Sequence, residues 1–166
     1  MQEILAHTPL WVFALFIVLV ALGLQQTRSR NVTLQRLLLL PLAMLALSFY
    51  GVWGTFNGST PAVAWWLGAA LATALASRRL PFARGVAYLP EQRRFLIPGS
   101  WLPLALMMGI FFTKYGVGIM LAQHGDLRTM DSFVVVVSLV YGMWSGIFFG
   151  RAAQIAAVHG RQVLAA

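Results

Sequence analysis

Cysteine is missing from this chain, and acidic side chains number only four among its 166 residues. Without cysteine there is no disulfide framework, no zinc ribbon and no thiol nucleophile. Charge is scarce as well: 10% of residues are charged, against 60% hydrophobic. A soluble domain carries nearer a quarter charged residues, because its surface must be covered with polar side chains. The shortage excludes an ordinary soluble enzyme, a disordered tail and a coiled coil, and it points to an integral membrane protein. No P-loop, zincin helix, nucleophile elbow or glycine-rich dinucleotide fingerprint occurs. His7, His124 and His159 fall at predicted helix ends. They therefore do not form the paired set that a haem inside a membrane needs, nor a closed tetrahedral metal site. No catalytic residue, cofactor or metal is expected.

What is present is a set of long apolar runs. A spanning helix needs roughly 17–25 mostly apolar residues. Five stretches qualify: Pro9–Gln25, Leu37–Phe56, Pro61–Ser77, Ser100–Ala122 and Ser132–Gly150. The runs are continuous rather than alternating, which excludes barrel strands. The expected fold is an all-α bundle of five transmembrane helices in a single domain, with one cytoplasmic loop over 78–99. The leader before the first run carries Glu3 and no Lys or Arg, whereas Arg28, Arg30 and Arg36 follow it. That order is the reverse of a secretory signal and predicts an uncleaved helix.

The net charge of +8 is a matter of topology. Arg28, Arg30 and Arg36 lie in the first loop. Arg78, Arg79, Arg84, Arg93 and Arg94 lie in the third, and Arg151 and Arg161 in the carboxyl-terminal tail. The other face holds Arg128 alone. By the positive-inside rule the amino terminus is outside and the carboxyl terminus cytoplasmic, which requires an odd number of crossings. Trp11, Trp53, Trp65 and Trp66 fall at predicted outer ends and Trp101 at an inner end, as amphipathic rings prefer. Trp144 is mid-helix and is expected to pack inward or face lipid. Basic charge confined to short membrane-flanking loops does not suggest nucleic acid.

The 78–99 loop alternates Val86 and Tyr88, then turns at Pro90-Glu91, then alternates Phe95 and Ile97. This predicts a hairpin resting on helices or lipid. Its arginines set orientation, or they contact anionic lipid or a partner protein. Gly142, Gly146 and Gly150 are spaced four apart in the fifth run, with Ser138 extending the row. Ala64, Gly68, Ala72 and Ala76 repeat that spacing in the third. Such stripes permit close helix approach, either within one chain or at a homodimer or partner-helix seam.

Lys114 is the one charge inside the predicted spans. It lies about nine residues before the outer end, roughly 13 Å deep at 1.5 Å per residue. Ser48, Tyr50, Thr73, Ser138 and Tyr141 are predicted at similar depth, and no carboxylate is. Three roles compete. Lys114 holds the bundle together through tyrosines and carbonyls. Alternatively it lines a pocket, with Tyr115, for an anionic or carbonyl-bearing ligand such as a lipid headgroup or quinone. In the third, burial lowers its proton affinity and it acts chemically.

Gln26-Thr27-Arg28-Ser29-Arg30 with Arg36-Leu37 and Leu40-Pro41 resembles the first loop and second helix of a family of small bacterial inner-membrane proteins of uncharacterised function. Phe95 with Pro98-Gly99-Ser100-Trp101, Pro103-Leu104 and Phe112-Thr113-Lys114-Tyr115 is similar to the same family's later half. The resemblance implies a bacterial inner membrane and a helical bundle, and it supplies no activity. The arginine-rich first loop before a Leu-Pro helix also resembles CcdC-like proteins linked with cytochrome c biogenesis. The functional expectation is a non-enzymatic membrane protein that binds a small ligand, lipid or partner. The alternative is a small oligomeric transporter or channel for an anion or apolar metabolite.

Overall fold

A computed structural model describes residues 9–164, with side chains through Val158. Glu3 and His7, and the side chains of His159 and Arg161, lie outside the described residues. The elements run α1 (Leu10–Gln25), β1 (Arg30–Val32), α2 (Leu34–Thr55), α3 (Thr60–Ser77), β2 (Ala87–Leu89), β3 (Arg94–Ile97), α4 (Leu102–Gln123) and α5 (Asp131–Leu164). A single 3-10 turn, Gly125–Thr129, joins α4 to α5. The chain is mostly helical, and α2, α3, α4 and α5 are long and apolar enough to cross a membrane. Over the described residues α1 is shorter, at 16 residues.

Local chemistry sets the helix ends. Thr33 caps α2, its hydroxyl accepting from Arg36 N at 3.5 Å. Prolines sit in the first turns of α3 and α4, where the missing donor has no partner to lose. Pro41 lies inside α2. At the end of α2 the chain turns through Asn57, at φ 48°, and Gly58, at φ 74°. Gly58 N donates back to Trp53 O at 2.8 Å, which closes the helix with a left-handed cap.

The helices form an up-and-down bundle around α5. The most extensive contact is between α3 and α5, while α2 packs beside both and α1 rests mainly on α4. Along α5 the glycine row meets the α3 backbone. A Cβ at Gly142 would lie 2.2 Å from Trp66 O, and one at Gly146 2.2 Å from Ala70 O. A Cβ at Gly150 would lie 1.9 Å from Ser77 Oγ. The partner face of α3 is Ala62, Trp66, Ala70 and Ser77, all buried. Ala64, Gly68, Ala72 and Ala76 point outward, and Gly68 has nothing nearby. Two stripes of equal spacing are therefore used differently: the α5 row packs on the α3 backbone at Trp66 and Ala70, whereas the α3 row faces away. Trp144 packs inward: a Cβ at Gly109 would lie 2.6 Å from its ring. Its Nε1 donates to Thr113 Oγ1 on α4 at 3.2 Å.

Two expectations need correction. The loop hairpin is present, with Tyr88 opposite Phe95, but it is part of a three-stranded antiparallel sheet of order β1-β3-β2. The added strand comes from the first loop and pairs Arg30 with Ile97 and Val32 with Phe95. An otherwise all-α architecture thus carries a small sheet. In addition, the last helix does not stop at Gly150 but runs 34 residues, from Asp131 to Leu164. The two departures have one cause. The buried sheet residues Val32, Phe95 and Ile97 close over Leu37 and over Ile155 on the extended end of α5. Burying a side chain of this kind stabilises by about 1.5–3 kcal/mol. A hairpin alone is marginal, and this one gains a third strand and a helix to lie on.

Candidate ligand-binding site

Lys114 projects from the second half of α4 toward α2 and α5. Its Nζ donates to the carbonyl of Leu47 at 3.1 Å and stands 5.1 Å from the centre of the Tyr141 ring. Room for the ammonium comes from Gly51, where a Cβ would lie 2.4 Å from Nζ. The group uses one hydrogen-bond donor of the three an ammonium carries. No carboxylate pairs with it among the described residues.

Directly behind it, Ser48 ties three helices together. Its hydroxyl accepts from Trp66 Nε1 at 3.0 Å and donates to Tyr141 O at 3.3 Å. Ser48, Tyr141 and Lys114 line a gap of about 10 Å³, room for roughly one water molecule. On its other side Lys114 lines a far larger cleft, of about 840 Å³, between α1, α2 and α4. Leu15, Leu19, Leu47, Met107 and Phe111 make its apolar wall, and Tyr115 and Gln123 add polar groups. The Tyr115 ring stacks on that of Phe111 at 6.1 Å.

The structure brings together four of the seven residues predicted at this level: Lys114, Ser48, Tyr141 and, along the cleft, Tyr115. The other three stand apart. Thr73 lies in the α3–α5 contact, its hydroxyl donating to Ala69 O at 2.7 Å and to Met143 O at 3.3 Å. Tyr50 is 73% exposed, because one residue of rotation along α2 presents Gly51 to Lys114 instead. Ser138 is fully buried near the α3 contact, and its hydroxyl has no partner among the described residues. Matching residues by depth cannot settle rotation about the helix axis, which puts successive positions about 100° apart. Gly51 and Leu47 were missed for the same reason: a glycine and a main-chain carbonyl carry no chemical label in the sequence.

A second concavity, of about 460 Å³, lies at the sheet end of the bundle and is basic. Arg28, Arg30 and Arg36 of the first loop meet Arg151 of α5 there. On the sequence these four arginines account for orientation alone. Arg151 lies just beyond the last predicted span, where nothing in the sequence links it to the first loop.

A family of unknown function, DUF6622, has a model that matches residues 1–163. The chain belongs to this family. No curated protein and no solved structure matches it. The features of this DUF6622 chain that bear on function are its own clefts and side chains. Lys114 and its apolar cleft offer a cation at the wall of a hydrophobic space. The arginine concavity offers several cations at the wall of a polar one.

Proposed function

We propose that this chain is a multi-pass protein of a bacterial inner membrane that binds a small amphipathic ligand in the cleft beside Lys114. The amino terminus is outside and the arginine-rich loops are cytoplasmic. The membrane reading is supported by the four long apolar helices and by large apolar side chains facing outward along them, such as Leu39, Leu71, Phe112 and Val136. The sidedness is supported by pairing between the first and third loops, which gathers their arginines at one end of the bundle. At about 51 Å, α5 exceeds the roughly 30 Å hydrocarbon core, so its last turns stand clear of lipid and carry the sheet. The resemblance of the loop motifs supports the bacterial inner membrane.

The observation that carries the binding role is the ammonium of Lys114 at the edge of an apolar cleft of about 840 Å³. A lysine deep in a bilayer costs about 2.5–3.5 kcal/mol. A charged hydrogen bond, about 1.5–3 kcal/mol, and a cation–π contact, about 0.5–2 kcal/mol, offset that without a counter-ion. The bundle thus tolerates a cation that keeps two donors for a ligand. Those donors suit a carbonyl or carboxylate head, and the apolar wall suits a long hydrocarbon body. The role is binding rather than catalysis.

Quenching of tryptophan fluorescence by decylubiquinone and by a brominated fatty acid tests this in mild detergent, since Trp11 lines the cleft. Saturable quenching that weakens about tenfold or more in Lys114→Met, with the helical circular dichroism retained, is the expected result. Equal affinity in the variant, or no saturable quenching in the wild type, sinks the reading.

A further inference from the structure

The arginine concavity is a separate matter from Lys114 and does not depend on it. Positive-inside topology needs arginines near the membrane surface; it does not need them to converge. Here they do. Arg30 and Arg151 are both half-buried and close enough to repel each other. Burial also pushes the Arg30 guanidinium below its usual proton affinity. Among the described residues no acidic group relieves it. Among the described residues the acids are Glu91 in the exposed hairpin turn, and Asp126 and Asp131 at the far end of the bundle.

The site is also built. Gln26 is only 6% exposed, and its Oε1 accepts from an Arg30 guanidinium nitrogen at 2.8 Å, which fixes the direction of that fork. Gln26 O accepts in turn from Ser100 N at 3.0 Å. Residue 99 must be glycine for the loops to close this tightly, since a Cβ there would lie 1.9 Å from Thr27 O. Arg30 is further held by strand pairing with Ile97. Arg28 and Arg36 stand exposed at the rim. Ser29 and Asn31 add neutral polar groups, and Leu40 and Phe148 make an apolar floor.

We propose that Arg28, Arg30, Arg36 and Arg151 form a binding site for a phosphate-bearing anion. Planar guanidinium forks match phosphate oxygens two at a time, and a phosphate supplies the negative charge this pocket lacks. The same chemistry is presented by an anionic phospholipid headgroup, whose chains would lie along the apolar floor, and by a soluble phosphate.

Purified full-length protein in a neutral detergent tests this by native mass spectrometry and thermal shift. The probes are dihexanoyl phosphatidylglycerol, dihexanoyl phosphatidylcholine and inorganic pyrophosphate. Saturable binding of phosphatidylglycerol over phosphatidylcholine, not displaced by pyrophosphate, supports the site with lipid as its source. Binding of pyrophosphate that phosphatidylglycerol does not displace supports it with a soluble source, and mutual displacement supports it with the tighter-binding probe as the source. In either case, Arg30→Gln with Arg151→Gln weakens binding by about tenfold or more, whereas Arg84→Gln in the exposed loop does not. If the buried pair unfolds the protein, Arg28→Gln with Arg36→Gln, both on the exposed rim, gives the same test. Binding of neither probe, or affinity unchanged by both arginine pairs, overturns the proposal.

Discussion

The ammonium of Lys114 and the ring of Tyr141 stand 5.1 Å apart, joining α4 to α5. Gly51 on α2 is the third party, since it leaves the space the ammonium occupies. Gly51→Ala would place a methyl group 2.4 Å from Nζ. The lysine stem is flexible, so the expected outcome is a displaced ammonium, with stability changed by less than about 1 kcal/mol. Decylubiquinone affinity is expected to fall while the unfolding temperature barely moves, and both are read on one detergent sample.

The two small-residue stripes give a paired prediction. Gly146→Ala drives a methyl group to 2.2 Å from Ala70 O, and backbone must shift to admit it. The expected cost is about 1–3 kcal/mol. Gly68→Ala meets nothing and removes a flexible residue from a helix, so it is neutral or stabilising by about 0.5–1 kcal/mol. Denaturation in mixed micelles ranks the two, and equal effects would show that α3 presents a different face to α5.

Ser48→Ala deprives Trp66 Nε1 of its acceptor. An indole N–H left unpaired in a buried place costs about 1–3 kcal/mol. Ser48→Thr keeps the hydroxyl and is expected to retain most of that stability. The tryptophan fluorescence of the alanine variant should shift as well, since the indole loses its bond.

Ile155 is completely buried under the sheet, well beyond Gly150. Ile155→Ala is expected to cost about 2–5 kcal/mol locally and to loosen the loop more than the bundle. Limited trypsin digestion checks this, since Arg93 and Arg94 should be cut sooner in the variant. Unchanged digestion would mean that the sheet does not depend on α5.

The absence of native cysteine permits single-cysteine labelling without background. Ser29→Cys and Gln92→Cys are expected to react from the same, cytoplasmic, face of intact membranes, because their loops pair through β1 and β3. Thr129→Cys should react only from the opposite face. Labelling of positions 29 and 92 from different faces would refute both the topology and the strand pairing.

Much of the helical frame was legible in the residues alone. Continuous apolar runs leave a chain little choice but helices, and turn residues such as Asn57-Gly58 mark where the helices break. The arginine bias ordered the loops, and the alternation Phe95, Ile97 marked a strand. Those are local properties, written in neighbouring side chains. Rotation of each helix about its axis was not local. It depends on which faces meet, and so tertiary packing alone put Gly51 rather than Tyr50 beside Lys114 and turned Gly68 away from α5. The third strand and the arginine concavity required residues 30 and 151 to come together, and only the folded bundle brings them within reach. Sequence determined which segments are helical and which loops are basic. The fold decided which side chains share a space, because that is settled by the competition among faces to be buried.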